Sequence, residues 1–276
     1  METRKTPSEK NREIFDAFPD SFYTGHVPSV KKKWYYPVAA AAVLLPLIAA
    51  GLLWLNRNAE EPAAPLAAAV SYYVNEGVKG KLELKDGTKV ELNSGSTLTV
   101  KGERRVFLDG EGWFEVKSDA EHPFYVETPS GIAVKVTGTQ FNLSNYKDEP
   151  FKVLLVKGNI ELQGEKAPAR VKPSQQVVVR NGKAQKSQVS ESQRRNETAW
   201  KEGVLVFDDK PFSEVIPMME RWYGVHFNVV SPELLRERLT GEFNTETLQD
   251  VMSVLSLTHK FFYNINGKEV TIALRK

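Results

Sequence analysis

The chain of 276 residues contains no cysteine and only four histidines. Without cysteine it has no disulfide, no thiol nucleophile and no thiolate metal site, and cysteine usage leaves its compartment undecided. The histidines lie far apart in the sequence, and none has metal-ligand spacing. They are His26, His122, His226 and His259. We therefore expect neither a metal nor a cofactor.

A strong net charge is also missing, because 37 basic residues nearly balance 35 acidic ones. A net charge of +2 creates no field that would gather nucleic acid, so direct nucleic-acid binding is not expected. No glycine-rich phosphate loop precedes a helix, and the carboxylates Asp109, Glu111 and Glu115 cluster near a turn, where hairpins commonly carry acidic residues. These features predict a protein that is not an enzyme.

One long uncharged stretch, Trp34 to Leu55, would form a helix of about 33 Å, the thickness of a membrane core. Basic residues are concentrated before it and scarce behind it, which predicts a cytoplasmic N-terminus and a periplasmic bulk of the chain. The expected anchors are Lys31, Lys32, Lys33, Trp34 and Trp54. The prediction is a single-pass inner-membrane protein; a cleaved signal peptide and a buried core helix are the alternatives.

Two-residue alternation of apolar and polar side chains dominates the sequence from Ser71 to about Val179 and predicts an all-β domain, solenoid-like or jelly-roll-like. The register of the first hairpin can be predicted from which side chains would share a face of the sheet. A two-residue Asp86-Gly87 turn would put the apolar side chains of its strands on opposite faces. A three-residue loop with Gly87 in a left-handed bulge instead pairs Leu82 with Val90 and makes one face apolar.

Alternating strand and helix periods after Trp200 predict a small α+β domain with the order β-α-β-β-α-β-β. Pro217 falls within its first predicted helix, where we expect a kink or an early turn. The complete expected organisation is a cytoplasmic arm 1–33, a transmembrane helix 34–55, a linker 56–70, an all-β domain 71–180, a linker 181–199 and a C-terminal signalling module 200–276.

Several local motifs resemble the FecR family of membrane-tethered anti-sigma factors, in a Bacteroidetes-like form with an unusually short cytoplasmic region. The family-like stretches of the β domain are LELKDGTKVELNSGSTL, RRVFLDGEGWFEV, HPFYVETPSGIAVKVTGTQFNL and VLLVKGNIEL. WKEGVLVFDDKPFSEVIPMMERWYGV looks like the start of the family's C-terminal module, which is similar to the signalling domain of TonB-dependent receptors. Within these motifs Gly87, Gly138 and Gly158 are interpreted as structural glycines with positive φ.

The resemblance implies a relay in which a TonB-dependent outer-membrane receptor contacts the exported region and the inner arm controls an extracytoplasmic-function sigma factor. Family members usually carry a helical sigma-binding domain before the membrane, and here only residues 1–33 precede Trp34. The alternative function is a structural, ligand-binding or polysaccharide-binding envelope protein without sigma control. An exported hydrolase would require a water-filled cleft with paired carboxylates.

Candidate contact residues follow from the apolar patterns within this scheme. Ile14, Phe15 and Phe18 could share one face of a short helix in the arm, as a sigma contact. Contact of this arm with membrane lipid explains the same pattern equally well. Trp222 and Tyr223 are the candidate receptor contacts, although their helical spacing is also typical of core residues.

Overall fold

The computed structural model describes residues 69–164, 170–244 and 246–275. Over these ranges the chain is mainly β with three α-helices, and none of the helices is long and apolar enough to cross a membrane. The sequence predicted a fold class with a single transmembrane helix as its first element. The structure corrects this fold class to a mainly β fold with three α-helices in the described residues. The expected span 34–55, its anchors and the arm 1–33 lie outside the described residues.

The first part of the fold is a β sandwich of thirteen strands in the described residues, β1 to β13, whose two sheets share the long strand β5. The first sheet consists, in spatial order, of β1 (Val70–Tyr73), β4 (Thr97–Gly102), β5 (Arg105–Glu115), β6 (Phe124–Glu127), β7 (Ala133–Val136), β10 (Ile160–Gln163) and β11 (Arg170–Val171). The second sheet consists of β2 (Gly80–Glu83), β3 (Lys89–Leu92), β5, β8 (Gln140–Asn145), β9 (Phe151–Lys157), β12 (Gln175–Arg180) and β13 (Lys183–Gln188).

Strand β5 passes from the first sheet to the second at Gly110. Residues before Gly110 pair with β4, and residues from Gly110 onward pair with β8. Gly110 has a φ of +118°, and a Cβ at this position would lie 2.7 Å from the backbone Cα of Ser96. Only glycine fits this crossing without displacing the neighbouring strand.

One continuous apolar core lies between the two sheets because inward-facing side chains alternate along every long strand. Phe114 of β5 stacks on Phe141 of β8, with ring centroids 5.0 Å apart and both side chains fully buried. Apolar packing between the two sheets thus gives the sandwich a hydrophobic core of its own.

The register expected for the first hairpin is confirmed. Leu82 pairs with Val90 and Glu83 with Lys89, and the Leu84 amide donates to the Thr88 carbonyl at 2.8 Å. Gly87 has a φ of +82°, as the bulge requires. The other two glycines singled out from the sequence, Gly138 and Gly158, also have positive φ, at +150° and +93°.

The stretch 181–199, expected to be an interdomain linker, instead contains strand β13 and helix α1 (Glu191–Thr198). The helix begins with a capping box in which the Ser190 side chain accepts from the Gln193 amide and Gln193 accepts from Ser190 in return. Its side chains are polar because it packs over a polar cavity, as described below. Because this polar sequence has no apolar stripe, its periodicity did not predict strand β13 or helix α1.

The C-terminal module has the order β-α-β-β-α-β-β that the periodicity predicts. Its elements are β14 (Leu205–Pro211), α2 (Phe212–Tyr223), β15 (His226–Val229), β16 (Arg238–Phe243), α3 (Leu248–Thr258), β17 (Phe261–Asn266) and β18 (Glu269–Leu274). Strands β14 and β16 form one antiparallel pair, and β15, β18 and β17 form a three-stranded sheet in that order. Short 3-10 helices at Ala199–Glu202 and Pro232–Arg236 complete it.

The module has an apolar core of its own, separate from that of the sandwich. Phe212 of α2 lies at its centre and packs edge-on against Phe261 of β17, with ring centroids 5.6 Å apart. Helix α2 continues through Pro217 and ends at Gly224, which caps it in the left-handed conformation at φ +66°. The helix therefore does not end early at the proline.

Candidate functional site

The sandwich and the module meet along a polar seam that contains a cavity of about 340 Å³. Residues from β5, β9, β12, helix α1, β14 and helix α2 line it. Among the lining side chains are Glu111, Lys152, Gln176, Glu197, Lys210 and Trp222. The seam thus separates two apolar cores by a layer of charged and amide groups.

Glu111 of β5 is a carboxylate of the sandwich on this seam. Both of its oxygens accept hydrogen bonds from amide side chains, Asn93 at 2.7 Å and Asn142 at 2.8 Å. Burial raises the pKa of Glu111, and the two amide donors oppose this rise only in part. The sandwich therefore carries a carboxyl group that ionises with difficulty.

Lys152 of β9 and Glu197 of helix α1 form an ion pair across the cavity, with an N–O distance of 3.3 Å. Attraction to Glu197 raises the pKa of Lys152 more than burial lowers it. Burial would raise the pKa of Glu197, but Lys152 and Lys210 together outweigh burial and lower it. Both side chains keep about a quarter of their surface exposed, 28% and 24%, because they face the cavity.

Helix α1 and the 3-10 helix after it are tied to the sandwich by a tryptophan as well. Trp200 is buried, and its indole Nε1 donates to the Asn142 side chain at 3.3 Å. Asn142 thereby links Trp200 to Glu111 through its two side-chain atoms. Periodicity could not predict this link, since the partners are far apart in the chain. The capping pair of Ser190 and Gln193 was the signal available for the helix.

The C-terminal end of helix α2 makes a second set of contacts with the sandwich through Arg221. Its guanidinium donates to Glu149 at 2.5 Å and lies 3.8 Å from the centroid of the Tyr146 ring. Its backbone carbonyl accepts from the Gly77 amide at 2.8 Å. Burial is the main cause of the raised pKa of Tyr146, and the charge of Glu111 raises this pKa further. Arg221 was not among the residues that the sequence singled out.

Trp222 and Tyr223, the candidate receptor contacts, are half-buried and pack on the module's core. The Lys79 ammonium lies 3.7 Å above the Trp222 ring, and burial lowers the pKa of Lys79. The Tyr223 hydroxyl donates to the Glu246 carbonyl at 3.1 Å, and burial raises its pKa to about 12. Trp222 thus faces the sandwich, while Tyr223 faces another part of its own module.

Exposed apolar side chains occur on a different side of the module, on helix α3 and the hairpin that follows it. Val254 and Leu257 of α3 are 50% and 72% exposed, and Phe262 and Leu274 of the hairpin are 58% and 40% exposed. Helix α3 packs against β17, and within the described ranges β17 pairs with β18 alone, so that its other edge is open there. Phe262, next to the buried Phe261 in β17, points to the sheet face away from α3, and we call Val254 and Leu257 alone the α3 patch.

The remaining candidate residues can be placed briefly. Ile14, Phe15 and Phe18, and the membrane anchors Lys31, Lys32, Lys33, Trp34 and Trp54, lie outside the described residues. Within residues 69–164, 170–244 and 246–275, no group of three or more histidine and carboxylate side chains is arranged to hold a metal ion. His122 is exposed beside Asp119, at 3.1 Å, and His259 lies 4.0 Å from Glu237.

Comparison with known proteins agrees with this architecture. Residues 71–161 match the family described as FecR protein, and residues 204–272 match the family described as FecR, C-terminal. Two crystal structures of a candidate anti-sigma factor from Parabacteroides distasonis ATCC 8503 superpose with a TM-score of 0.68, at 29% and 28% identity. Each covers 75% of this chain and all of the solved chain. No curated protein matches the sequence.

The two family matches fall on the two folded parts, the sandwich and the module, in the order that the motifs predict. The structural matches extend over both parts together. The chain therefore belongs to the FecR family of anti-sigma factors.

Proposed function

We propose that this protein relays a signal from an outer-membrane TonB-dependent receptor to an extracytoplasmic-function sigma factor by protein contacts. The receptor's signalling domain binds the C-terminal module, and the sigma factor is the regulated partner. The α3 patch is the observation that carries this proposal, because two large apolar side chains stay exposed on a helix that packs against a strand with an open edge. The P. distasonis likeness supports the sigma-regulating role.

The chemistry of the module's open edge fits an extended partner strand. Strand β17, with the sequence FFYNIN, carries no charged residue, and its backbone groups on the open side face no other strand among the described residues. A partner strand can pair with this edge while its apolar side chains contact Val254 and Leu257 on the adjacent helix. The receptor contact proposed here is therefore centred on α3 and β17, with Trp222 facing the sandwich instead.

The test is calorimetric titration of the full chain with the isolated signalling domains of candidate receptors. Replacing Val254 and Leu257 with Asp should weaken binding at least tenfold, which corresponds to about 1.4 kcal/mol. Val230→Asp is the matched control, because Val230 is 59% exposed directly after β15, at the opposite edge of the same sheet from β17, and should leave affinity unchanged. Equal affinity of the Val254 and Leu257 variants and the wild type would remove the α3 patch from the contact.

The same proposal assigns the sandwich and the module to the periplasm, where a receptor's signalling domain is accessible. A periplasm-dependent reporter fused after Lys276 should be active, and a cytoplasm-dependent reporter at the same position should be silent. The opposite pattern would exclude a direct receptor contact.

Catalytic turnover is not part of the proposed function, although the cavity contains carboxylates with a raised and a lowered pKa, Glu111 and Glu197. Each has a structural partner: two amide donors hold Glu111, and Lys152 holds Glu197. The polysaccharide-binding alternative calls for an exposed aromatic platform on the sandwich. Tyr72 and Tyr73 are exposed, but as neighbours in β1 they point to opposite faces of the sheet and form no platform.

A further inference from the structure

Strand β1 is a weakly held edge strand of the sandwich. It is four residues long, is exposed at every position and, among the described residues, pairs with β4 alone. Val70 and Tyr73 are 52% and 66% exposed, so little apolar burial holds the strand in place. Short edge strands of this kind open at low free-energy cost.

The segment that follows β1, residues 75–79, is held by the C-terminal module. The Gly77 amide donates to the Arg221 carbonyl, and Lys79 extends over the Trp222 ring. The backbones approach closely here: a Cβ on Gly224 would lie 3.7 Å from the Glu76 carbonyl oxygen. The sandwich adds two hydrogen bonds of its own, from the Val74 amide to Ser96 and from the Ser94 hydroxyl to Val78.

Arg221 connects these contacts to the body of the sandwich. Its side chain is held by Glu149 and Tyr146, in the β8–β9 connection, while its carbonyl holds Gly77. The end of helix α2 is therefore inserted between the β8–β9 connection and the segment after β1. If α2 moved away, residues 75–79 would lose their contacts with the module, and β1 and the segment after it would be held only by the pairing with β4 and by the sandwich contacts of Val74 and Val78.

We infer that the end of helix α2 clamps residues 75–79, so that displacement of the module releases strand β1 and the chain that precedes it. The clamp couples the C-terminal module directly to the N-terminal side of the sandwich, with no need for a change inside either apolar core. The clamp itself stands independently of any receptor; its use as the relay step rests on the proposed function. A receptor domain that binds the module would act by shifting the equilibrium between clamped and released β1.

Hydrogen exchange of the full chain, without any receptor, tests the clamp. Arg221→Ala should speed exchange of the amides of residues 70–79 about tenfold, since it removes a charge-assisted hydrogen bond and a cation–π contact. Lys79→Ala, made on the sandwich side, should speed the same amides by a smaller factor. Arg180→Ala is the matched control, because Arg180 pairs with Glu214 across the two parts at 3.1 Å, and Glu214 lies in the first turn of helix α2 whereas Arg221 lies in the last.

The clamp is supported if exchange rises in residues 70–79 for both variants, stays unchanged in β5 and β8, and stays unchanged everywhere for Arg180→Ala. Two results overturn it. One is exchange in residues 70–79 within twofold of the wild type in both variants. The other is an equal rise in β5 and β8, which would show general destabilisation of the sandwich. Neither result depends on receptor binding, so failure of the clamp and failure of the proposed receptor contact are distinguishable.

Discussion

The sheet edges of the sandwich and of the C-terminal module are built differently. In the sandwich, the edge strands β2 and β13 carry lysines, Lys81 in the first and Lys183 and Lys186 in the second. Charged edges resist pairing with foreign strands. In the module's three-stranded sheet, both edge strands, β15 and β17, lack Lys, Arg, Asp and Glu. The sandwich is therefore protected against strand addition, whereas the module is open to it.

Strand β1 is the exception within the sandwich, since its sequence VSYY carries no charge either. Among the described residues no strand covers its free side, yet the segment after it is held by helix α2. Two of the three uncharged edges, β1 and β17, thus lie where the proposed relay requires movement or contact. Elsewhere in the sandwich, edges are charged and the core is continuous.

The two cores provide the largest expected effects. Phe114→Ala in the sandwich should lower its free energy of unfolding by about 3–5 kcal/mol, because a fully buried ring is lost from a packed interior. Phe212→Ala should do the same to the module. Hydrogen exchange in denaturant can follow each part separately. If either variant lowers protection equally in both parts, the seam couples them into one cooperative unit and the contrast between scaffold and contact module does not hold.

The crossing of β5 between sheets gives the next effect. Gly110→Ala should destabilise the sandwich by about 2–4 kcal/mol, because its Cβ would overlap the backbone of Ser96 at a φ of +118°. Gly131→Ala is the control, with a φ of +77° and open space around its Cβ, and should cost only about 1 kcal/mol. Equal losses in a thermal or chemical unfolding experiment would show that the close approach at Gly110 relaxes without cost.

The seam between the two parts should respond to pH through Glu197. Its pKa is lowered in the folded protein from an ordinary value of 4.5, so its ion pair stabilises above that value and this contribution is lost as pH falls through the folded pKa. Glu197→Gln should therefore lower the free energy of unfolding by about 1–3 kcal/mol at neutral pH. As pH is lowered, the free energy of unfolding of this variant should fall less than that of the wild type. Glu111 has a raised pKa in the folded protein, so its contribution to the free energy of unfolding is full below 4.5 and is lost as pH rises through the folded pKa.

Unfolding free energies of wild type and Glu197→Gln, measured from pH 3 to 8, decide this point. Glu191→Gln serves as the control on the same helix, because Glu191 is 78% exposed and should change stability little at any pH. Parallel pH profiles for the wild type and Glu197→Gln would mean that the Lys152 pair contributes nothing to the seam.

Local patterns predicted much of the fold. Side-chain parity was sufficient to determine the β2–β3 register, since a shift by one residue would expose Leu82 and Val90. Helical spacing likewise located α2 and α3, whose buried residues recur every three or four positions. These elements are determined by which face is buried, and that information is local in the sequence.

The seam could not be predicted in this way. Helix α1 has no buried side chain, and its stability comes from a capping box and from Glu197 meeting Lys152, 45 residues away. Arg221 meets Glu149 across 72 residues. Such polar pairs leave no periodic signal, because each depends on where a distant strand lies. For the same reason helical spacing left Trp222 as either a receptor contact or a core residue, and it could not indicate the partner Lys79.

The smallest effect on stability concerns the arm before the sandwich, where Ile14, Phe15 and Phe18 stay predicted sigma contacts. Replacing all three with Ser should leave the unfolding free energies of the sandwich and the module unchanged within about 0.5 kcal/mol, because the proposed role of these residues is sigma binding and not folding. Transcription of the sigma-dependent genes should change, because the proposed contact loses its apolar surface. A transcriptional reporter, read together with protein level and membrane fractionation, measures this.

The contrast between arm and scaffold makes this result informative. Phe114→Ala would also alter transcription, but through loss of the folded sandwich and a fall in protein level. The arm variant should alter transcription at an unchanged protein level and with unchanged hydrogen exchange in β5. If transcription stays at the wild-type level while the protein is present in normal amount, the arm does not bind the sigma factor. Association of the arm with membrane lipid would then account for its apolar residues.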